Sequence, residues 1–438
     1  MEDKYKIGIL SLGCPRNLVD SENILGRLAL RGYPIVDIDK ADVAIVNTCA
    51  FIEDAKSESI EAILDLIDLK REGKLKKIVV YGCLTQRYKD KLHKELPEVD
   101  AFVGKISFPA RLSITQAGSR LPFKMAEREN HNLRRFRLTP RHYAYLKICE
   151  GCINNCSYCV IPNIKGRFTS LDIDSILAKI EEFNKDKVSE VNIIGQDITS
   201  YGLDLYASTR LPHLLKKIIK ISPDIGWLRL LYLYPSRISD ELLDLIKNEP
   251  RICKYIDLPL QHINDRILNL MHRHTTKEDI LRIIDKIKKK IPHIAIRTSI
   301  IVGFPSETEN DFKELLDFIE DVKFERLGAF IYSREEGTPA YNFKNQIPDK
   351  IKEERFNTLM MLQQKISKVL NKNFLGEVMD VLIDEKEEDF YLGRSQYDAP
   401  EVDGLIYVDS KKALLPGDFV RVKITDTLEY DLVGKTLP

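Results

Sequence analysis

Seven of the eight cysteines in this 438-residue chain fall into two groups, and their spacing suggests inorganic chemistry. The denser group, Cys149-Glu-Gly-Cys152-Ile-Asn-Asn-Cys156-Ser-Tyr-Cys159, puts four thiols in eleven residues. Within it, Cys152-x3-Cys156-x2-Cys159 sets three thiolates on one tight loop, directly after an apolar strand pattern over 143–148. Three soft thiolates without a fourth ligand suit a 4Fe–4S cluster with one open iron. A zinc ribbon would want paired Cys knuckles separated by a long insert, and that pattern does not occur here. Cys149 precedes the turn and is either a competing ligand or a spare thiol on the strand; the spare thiol is the expectation. Cys253, in Arg251-Ile-Cys-Lys254, has no partner in sequence and is expected in a core.

The second group is dispersed in sequence but alike in position. Cys14, Cys49 and Cys83 each end a short apolar, β-rich run, over 6–13, 43–49 and 77–83. Neighbouring parallel strands lie ~4.8 Å apart, so three strand-end thiols can converge on one site. Each could also be a small buried hydrophobe, as free cysteine often is. Gly13 and Gly82, beside two of these thiols, would let backbone approach a bulky inorganic group.

The elements that must position these residues follow from periodicity. Residues 1–125 alternate strand and helix patterns, with helices over 20–31 and 55–69. They read as an open parallel α/β sheet domain, whose sites form beyond the carboxyl ends of strands. Residues 138–370 repeat strand and helix: strands over 143–148, 190–195, 227–234, 255–260, 294–302 and 326–332, helices over 171–184, 212–221, 239–248, 277–290 and 308–322. Six βα units are too few for a closed eight-stranded barrel, so a partial (β/α)6 barrel is expected. Its strand-end turns are the Cys loop, Gly195-Gln196-Asp197 and Gly303-Phe304-Pro305. A long helix over 350–371 leads into 371–438, where short β runs (376–383, 390–394, 404–408, 418–424) alternate with turns such as Pro416-Gly417. That texture predicts a small antiparallel β-barrel. The overall class is α/β.

Charge narrows the partners. Lys+Arg and Asp+Glu are both 67, which argues against binding nucleic acid by bulk charge. Residues 371–438 carry eight basic and fifteen acidic side chains. Such a surface repels phosphate backbones and attracts basic partners, although it could equally be a plain solvated face. Basic residues cluster instead at Arg134, Arg135, Arg137, Arg141 and His142, around an expected linker at 126–137; a solvated linker is the default reading there. With 44% apolar and 31% charged residues the composition is that of an ordinary globular protein. No apolar run reaches the ~18 residues of a membrane helix, and Met-Glu-Asp-Lys-Tyr-Lys does not read as a secretory leader. A cytoplasmic protein with no membrane partner and reduced cysteines is expected.

Taken together, the motifs resemble a known family. Cys-x3-Cys-x2-Cys with Tyr158 before the last cysteine resembles the radical S-adenosylmethionine (SAM) signature. With three strand-end cysteines upstream and a small barrel downstream, the whole chain resembles the radical-SAM methylthiotransferases. That resemblance implies an N-terminal methylthiotransferase domain (1–125), a radical-SAM domain (138–370) and a TRAM domain (371–438). The strings Ser11-Leu-Gly-Cys-Pro-Arg-Asn-Leu-Val-Asp-Ser-Glu22, Asn47-Thr-Cys-Ala-Phe-Ile52, Pro259-Leu-Gln-His262 and Asp398-Ala-Pro-Glu-Val-Asp-Gly404 are similar to the branch that methylthiolates an aspartate of ribosomal protein S-twelve. The alternative, a tRNA-modifying branch acting on an adenosine next to the anticodon, usually has Gln where this chain has Pro15, and Ser-Gly where it has His262. Two departures stand out: Cys149 replaces a small non-thiol residue, and Thr169-Ser170-Leu171 replaces Arg-Ser-Arg.

By this resemblance Cys152, Cys156 and Cys159 hold a 4Fe–4S cluster whose open iron binds SAM and generates a hydrogen-abstracting radical. Cys14, Cys49 and Cys83 hold an auxiliary 4Fe–4S cluster that carries the sulfur, and a second SAM donates the methyl group. Gly195, Gln196 and Gly303 are the candidates for close backbone approach to SAM. The implied partners are ribosomal protein S-twelve, free or in the small subunit and contacted partly by the acidic TRAM domain, and a one-electron reductant. A monomer is expected.

Overall fold

The computed structural model describes residues 4–104 and 135–437. Arg134 and most of the expected 126–137 linker lie outside the described residues. The chain forms two compact units: one of Met1–Leu138, Cys149–Lys179 and Ser333–Tyr341, the other of Thr139–Ile148, Ile180–Tyr332 and Asn342–Pro438.

The first unit is built on a four-stranded parallel sheet in simple order: β1 (Ile7–Ser11), β2 (Val43–Thr48), β3 (Lys77–Gly82) and β4 (Ala101–Val103). Helices α1 (Pro15–Leu30), α2 (Glu53–Arg71) and α3 (Cys83–Glu95) follow the first three strands. The inner strands read as unbroken apolar runs because both of their faces are buried. Ala44, Val46, Ile78 and Val80 pack with Ile63, Leu66 and Leu84 in one core, and Val43, Ile45, Val79 and Tyr81 pack with Ile24 and Leu28 in another. The first helix starts at Pro15, five residues before the pattern at 20–31 suggested. Pro occupies its first turn, where no backbone donor is lost.

The cysteine loop also belongs to this unit. A two-residue hairpin, Cys149–Glu150 against Thr169–Ser170, closes its neck. The short helix Ile161–Lys165 that follows the loop sends Val160 and Ile164 into the core that contains Cys83. Arg135, expected as part of a solvated linker, is instead buried in an ion pair with Glu22 at 2.9 Å. Glu22 also accepts the Leu138 backbone N–H at 2.8 Å, so the carboxylate fixes the chain there.

The second unit carries the six expected parallel strands in two halves. β5 (Tyr143–Lys147), β6 (Glu190–Ile194) and β7 (Trp227–Leu230) form one sheet; β8 (Tyr255–Asp257), β9 (Ala295–Val302) and β10 (Arg326–Ile331) form the other. Between them the ladder is reduced to an isolated Leu228–Ile252 bridge and a Leu233 N–H to Asp257 O bond of 2.9 Å. β7 stops short of residue 234 because Tyr232 turns to positive φ and gives its N–H to the Asp257 carboxylate at 2.9 Å. Capping boxes at Thr276/Asp279 and Thr308/Asp311 start two of the outer helices.

The C-terminal segment closes into a five-stranded barrel: β11 (Val378–Lys386), β12 (Tyr391–Ser395), β13 (Ile406–Asp409), β14 (Phe419–Thr427) and β15 (Leu432–Thr436). It is not wholly antiparallel: β13 and β15 pair in parallel, and the other four seams are antiparallel. This small barrel packs under the amino ends of the parallel strands. Tyr143 donates its hydroxyl to Glu401 at 2.8 Å, Tyr255 to Asp403 at 2.6 Å, and Arg326 Nε to Asp398 at 2.9 Å. Arg229 donates to the Gln396 carbonyl at 2.7 Å, and Arg394 pairs with Glu190 at 2.7 Å. The string 398–404 therefore forms part of the underside of these parallel sheets. His142 belongs to this contact too, buried 2.8 Å from Asp384 and not in a solvated linker. No helix among the described residues is long and apolar enough to cross a membrane.

Candidate metal centre

The three dispersed cysteines meet at the carboxyl edge of the first sheet. Cys14 is the N-cap of α1, Cys83 is the first residue of α3, and Cys49 follows β2 shortly before α2. The strand-to-helix turns thus put thiols at or near the positive ends of helices, where thiolates are favoured. A Cβ built on Gly13 would stand 2.7 Å from Cys49 Cβ and 3.0 Å from its Sγ. One built on Gly82 would stand 2.5 Å from Asn47 Oδ1. Both glycines have positive φ, so backbone conformation and space alike require glycine at this edge.

Asn17 ties the three strand ends together. Its Nδ2 donates to Leu12 O and Thr48 O, both at 3.2 Å, and its Oδ1 accepts from Cys83 Sγ at 3.8 Å. Asn47 Nδ2 in turn donates to Asn17 O at 2.7 Å and to Ser21 Oγ at 2.8 Å. Ser59 brackets Cys49, accepting its N–H at 3.0 Å and donating to its carbonyl at 2.9 Å. Ser59 was not singled out in the sequence, and Asn17 and Ser21 entered only as members of the string 11–22 with no role of their own, because a buried asparagine looks there like any polar residue.

The thiols differ electrostatically. Burial opposes the Cys14 thiolate, but Arg16, whose Nε lies 3.5 Å from Cys14 Sγ, together with Lys165 brings that thiol below its ordinary value. Burial pushes Cys83 up to about 12, and Cys49 is raised by burial and by the Cys14 charge.

In the loop, Cys159 is pushed up to about 12 by burial and then by the charges of Cys156 and Cys152. The Asn154 N–H points to Cys152 Sγ at 3.4 Å, and Cys159 N–H to Cys156 O at 3.1 Å. Cys149 is buried in the neck hairpin. Ser333–Tyr341 braces the loop: Ala340 N–H donates to Ser157 O at 2.9 Å and Asn163 Nδ2 to Gly337 O at 2.8 Å. Glu335 anchors that brace to Lys56 at 3.1 Å and Arg87 at 2.6 Å. Arg16 acts electrostatically on Cys14, Cys49 and Cys159.

Among the described residues no three such side chains close on a single ion. A four-iron cluster takes one thiolate per iron, so its ligands stand apart. The all-thiol donor sets and the glycine-lined edge fit that larger group.

In the second unit, Gly195 and Gln196 follow β6 and Gly303 follows β9. Asp197 shapes the first turn, accepting from Thr199 N at 3.0 Å and from Ser200 Oγ and Arg237 at 2.7 and 2.8 Å. Glu307 shapes the second, its Oε2 accepting the Gly303 and Phe304 N–H groups at 2.9 and 3.3 Å. The space a Cβ would need at Gly303 is filled by Lys352, whose Cγ would lie 2.3 Å away. Gly303 is therefore a glycine partly to admit the long helix Asp349–Asn371.

The chain matches the Radical SAM superfamily over residues 146–319, the Uncharacterized protein family UPF0004 over 6–104 and the TRAM domain over 375–437. Its fold is similar to that of the radical SAM methyltransferase TsrM from Kitasatospora setae, with a TM-score of 0.54 and 14% identity over 82% of this chain and 89% of that one. Fold, cysteine loop and family matches define a radical-SAM enzyme. It is 48% identical to the ribosomal protein uS12 methylthiotransferase RimO of Clostridioides difficile and 45% identical to that of Geobacter sulfurreducens, each over 99% of both chains. The chain belongs to the RimO family of radical-SAM methylthiotransferases, and 4Fe–4S clusters and SAM are its cofactors.

Proposed function

We propose that this enzyme replaces a hydrogen on the β-carbon of an aspartate in ribosomal protein S-twelve with a methylthio group. The observation that carries the reading is the assembly of two separate sets of three thiols in one compact unit. One set suits a radical generator and the other a sulfur carrier. When bound, a cluster on Cys152, Cys156 and Cys159 with SAM supplies a hydrogen-abstracting radical, a cluster on Cys14, Cys49 and Cys83 supplies sulfur, and a second SAM supplies the methyl group. An unactivated carbon of this kind is out of reach of a side-chain base at neutral pH.

The protein's own residues support that chemistry. Asn17, Ser59 and the two glycines hold the strand-end thiols, and Glu335 holds the brace of the loop. Gly195, Gln196 and Gly303, at strand carboxyl ends, are the positions for SAM. The names of the close relatives support uS12 as substrate. The fifteen carboxylates against eight cations in 371–438 support a basic protein partner over tRNA.

Anaerobically reconstituted enzyme, given SAM, a one-electron reductant and sulfide, is offered a peptide of the target S-twelve loop and, separately, a tRNA anticodon stem-loop. Mass spectrometry is expected to find the methylthio group on the peptide alone, with loss of the product in both Cys14→Ala and Cys152→Ala. Modified RNA with unmodified peptide would overturn the substrate, and product made by Cys14→Ala would overturn the sulfur-carrier role.

A further inference from the structure

Lys165 ends the short helix after the cysteine loop, and its side chain is only 7% exposed. Its Nζ lies 3.3 Å from Asp20 Oδ2 and 3.5 Å from Glu150 Oε1, both also buried or nearly so. Burying an ammonium strips its hydration, so it is retained where counter-charges hold it. The three charged groups come from three segments that carry thiols: Asp20 from α1, which Cys14 caps; Glu150 from the neck hairpin, just before Cys152; and Lys165 itself, after Cys159.

The helix that Lys165 ends packs Val160 and Ile164 against the core containing Cys83, which brings the ammonium to the carboxyl edge of the sheet. There it acts on Cys14, Cys49 and Cys83, and on Tyr81 of β3. Burial works against the ammonium, but the charges facing it, Glu150 first and Asp20 among them, outweigh it and hold Lys165 well above the ordinary lysine value. The cation is therefore charged at neutral pH.

We propose that Lys165 is the charge-setting residue of the strand-end centre: a fixed, buried cation, held by Asp20 and Glu150, that raises the reduction potential of a cluster on Cys14, Cys49 and Cys83. This rests on the cluster assignment made above. Reduction adds one electron to the cluster and so one unit of negative charge. A cation in a poorly polarisable interior stabilises the reduced state more than the oxidised one. Arg16 does not duplicate it: its hydrogen bond is to Cys14, the partly exposed thiol of the three, whereas Lys165 is buried and acts on the buried Cys83 as well. Lys165 is thus a positioning residue acting through the field it imposes.

The test uses the full chain with Cys152, Cys156 and Cys159 changed to alanine, reconstituted with iron and sulfide and titrated with dithionite while the electron paramagnetic resonance signal is followed. Lys165→Met is expected to lower the reduced-to-oxidised ratio at fixed potential at least tenfold, which is 59 mV on a one-electron couple. Lys165→Arg is expected to restore it to within threefold. Glu150→Gln removes a negative charge and is expected to move the ratio the other way. It decides the matter by its sign if Lys165→Met does not take up iron. A ratio unchanged within threefold in Lys165→Met, or lowered in Glu150→Gln, overturns the inference. If the triple-alanine parent binds no iron while Cys14, Cys49 and Cys83 are intact, the cluster assignment itself fails, and that outcome is distinguishable from the others.

Discussion

Asn17 shows how much one polar side chain can hold. Its amide touches the ends of β1, β2 and β3 at once, through Leu12 O, Thr48 O and Cys83 Sγ. Asn17→Ala removes those contacts in a buried setting and is expected to cost about 2–4 kcal/mol. It should also lose the strand-end iron while the loop keeps its own; urea unfolding and iron analysis against Cys14→Ala check both. A second residue-scale prediction concerns His262 and Glu307, whose nitrogen and carboxylate oxygen are 3.8 Å apart. Burial pushes His262 down to about 4, and burial pushes Glu307 up to about 7 against Arg355 and two backbone amides. Between about 4 and 6.5 the folded state binds fewer protons at His262 than the unfolded chain, so that group makes stability rise with pH. Between 4.5 and about 7 the folded state binds more protons at Glu307, so that group makes stability fall with pH. The two oppose each other. Glu307→Gln should unmask the His262 slope, up to about 3 kcal/mol across its window, seen as urea midpoints that climb more steeply with pH than in the wild type.

At the scale of elements, the strand-to-helix turns are the sensitive points. Gly82 and Gly73 both have positive φ, but a Cβ at Gly82 meets Asn47 and Thr48 whereas one at Gly73 meets nothing within 4 Å. Gly73→Ala should cost only the conformational ~1–2 kcal/mol, and Gly82→Ala clearly more, with iron lost from the strand-end set; paired urea curves check the difference. The strands that end in cysteines were legible because a strand buried on both faces writes its burial into an apolar run. The helix α3 was not, because its sequence is mostly polar and kinks at Tyr88. α1 was read late because its first turn holds Arg16 and Asn17, polar residues that break the apolar period even though Asn17 is buried. β4 is only three residues long, too short for a period to show. The thiol positions could be found from spacing, but Asn17, Ser59 and Lys165 could not: their value lies in partners distant in the chain.

At the scale of the molecule, the C-terminal barrel is fixed to the parallel sheets by buried charge. Arg394 pairs with Glu190 and Asp384, both at 2.7 Å, and Arg229 pairs with Glu190 at 2.7 Å. Removing one member of such a cluster leaves its partners buried and uncompensated. Arg394→Met is expected to cost about 3–5 kcal/mol by chemical unfolding. The acidic count of 371–438 that suggested a basic partner also has an inward share, since Asp384, Asp398, Glu401 and Asp403 serve this contact.

That contact has a consequence for synthesis on the ribosome. Arg229 reaches full burial only when its partners at 395 and 396 arrive, and Ser395 lies 166 residues further along the chain. At ~5–20 residues per second that is a delay of roughly 10–30 s. For that interval the nascent strands present unmatched arginines and tyrosines along their lower rim. A message that stalls before codon 395 would release a product whose first sheet is complete and whose second unit is exposed to proteases and chaperones. The strands made first thus depend, for the burial of their lower rim, on residues that are made much later.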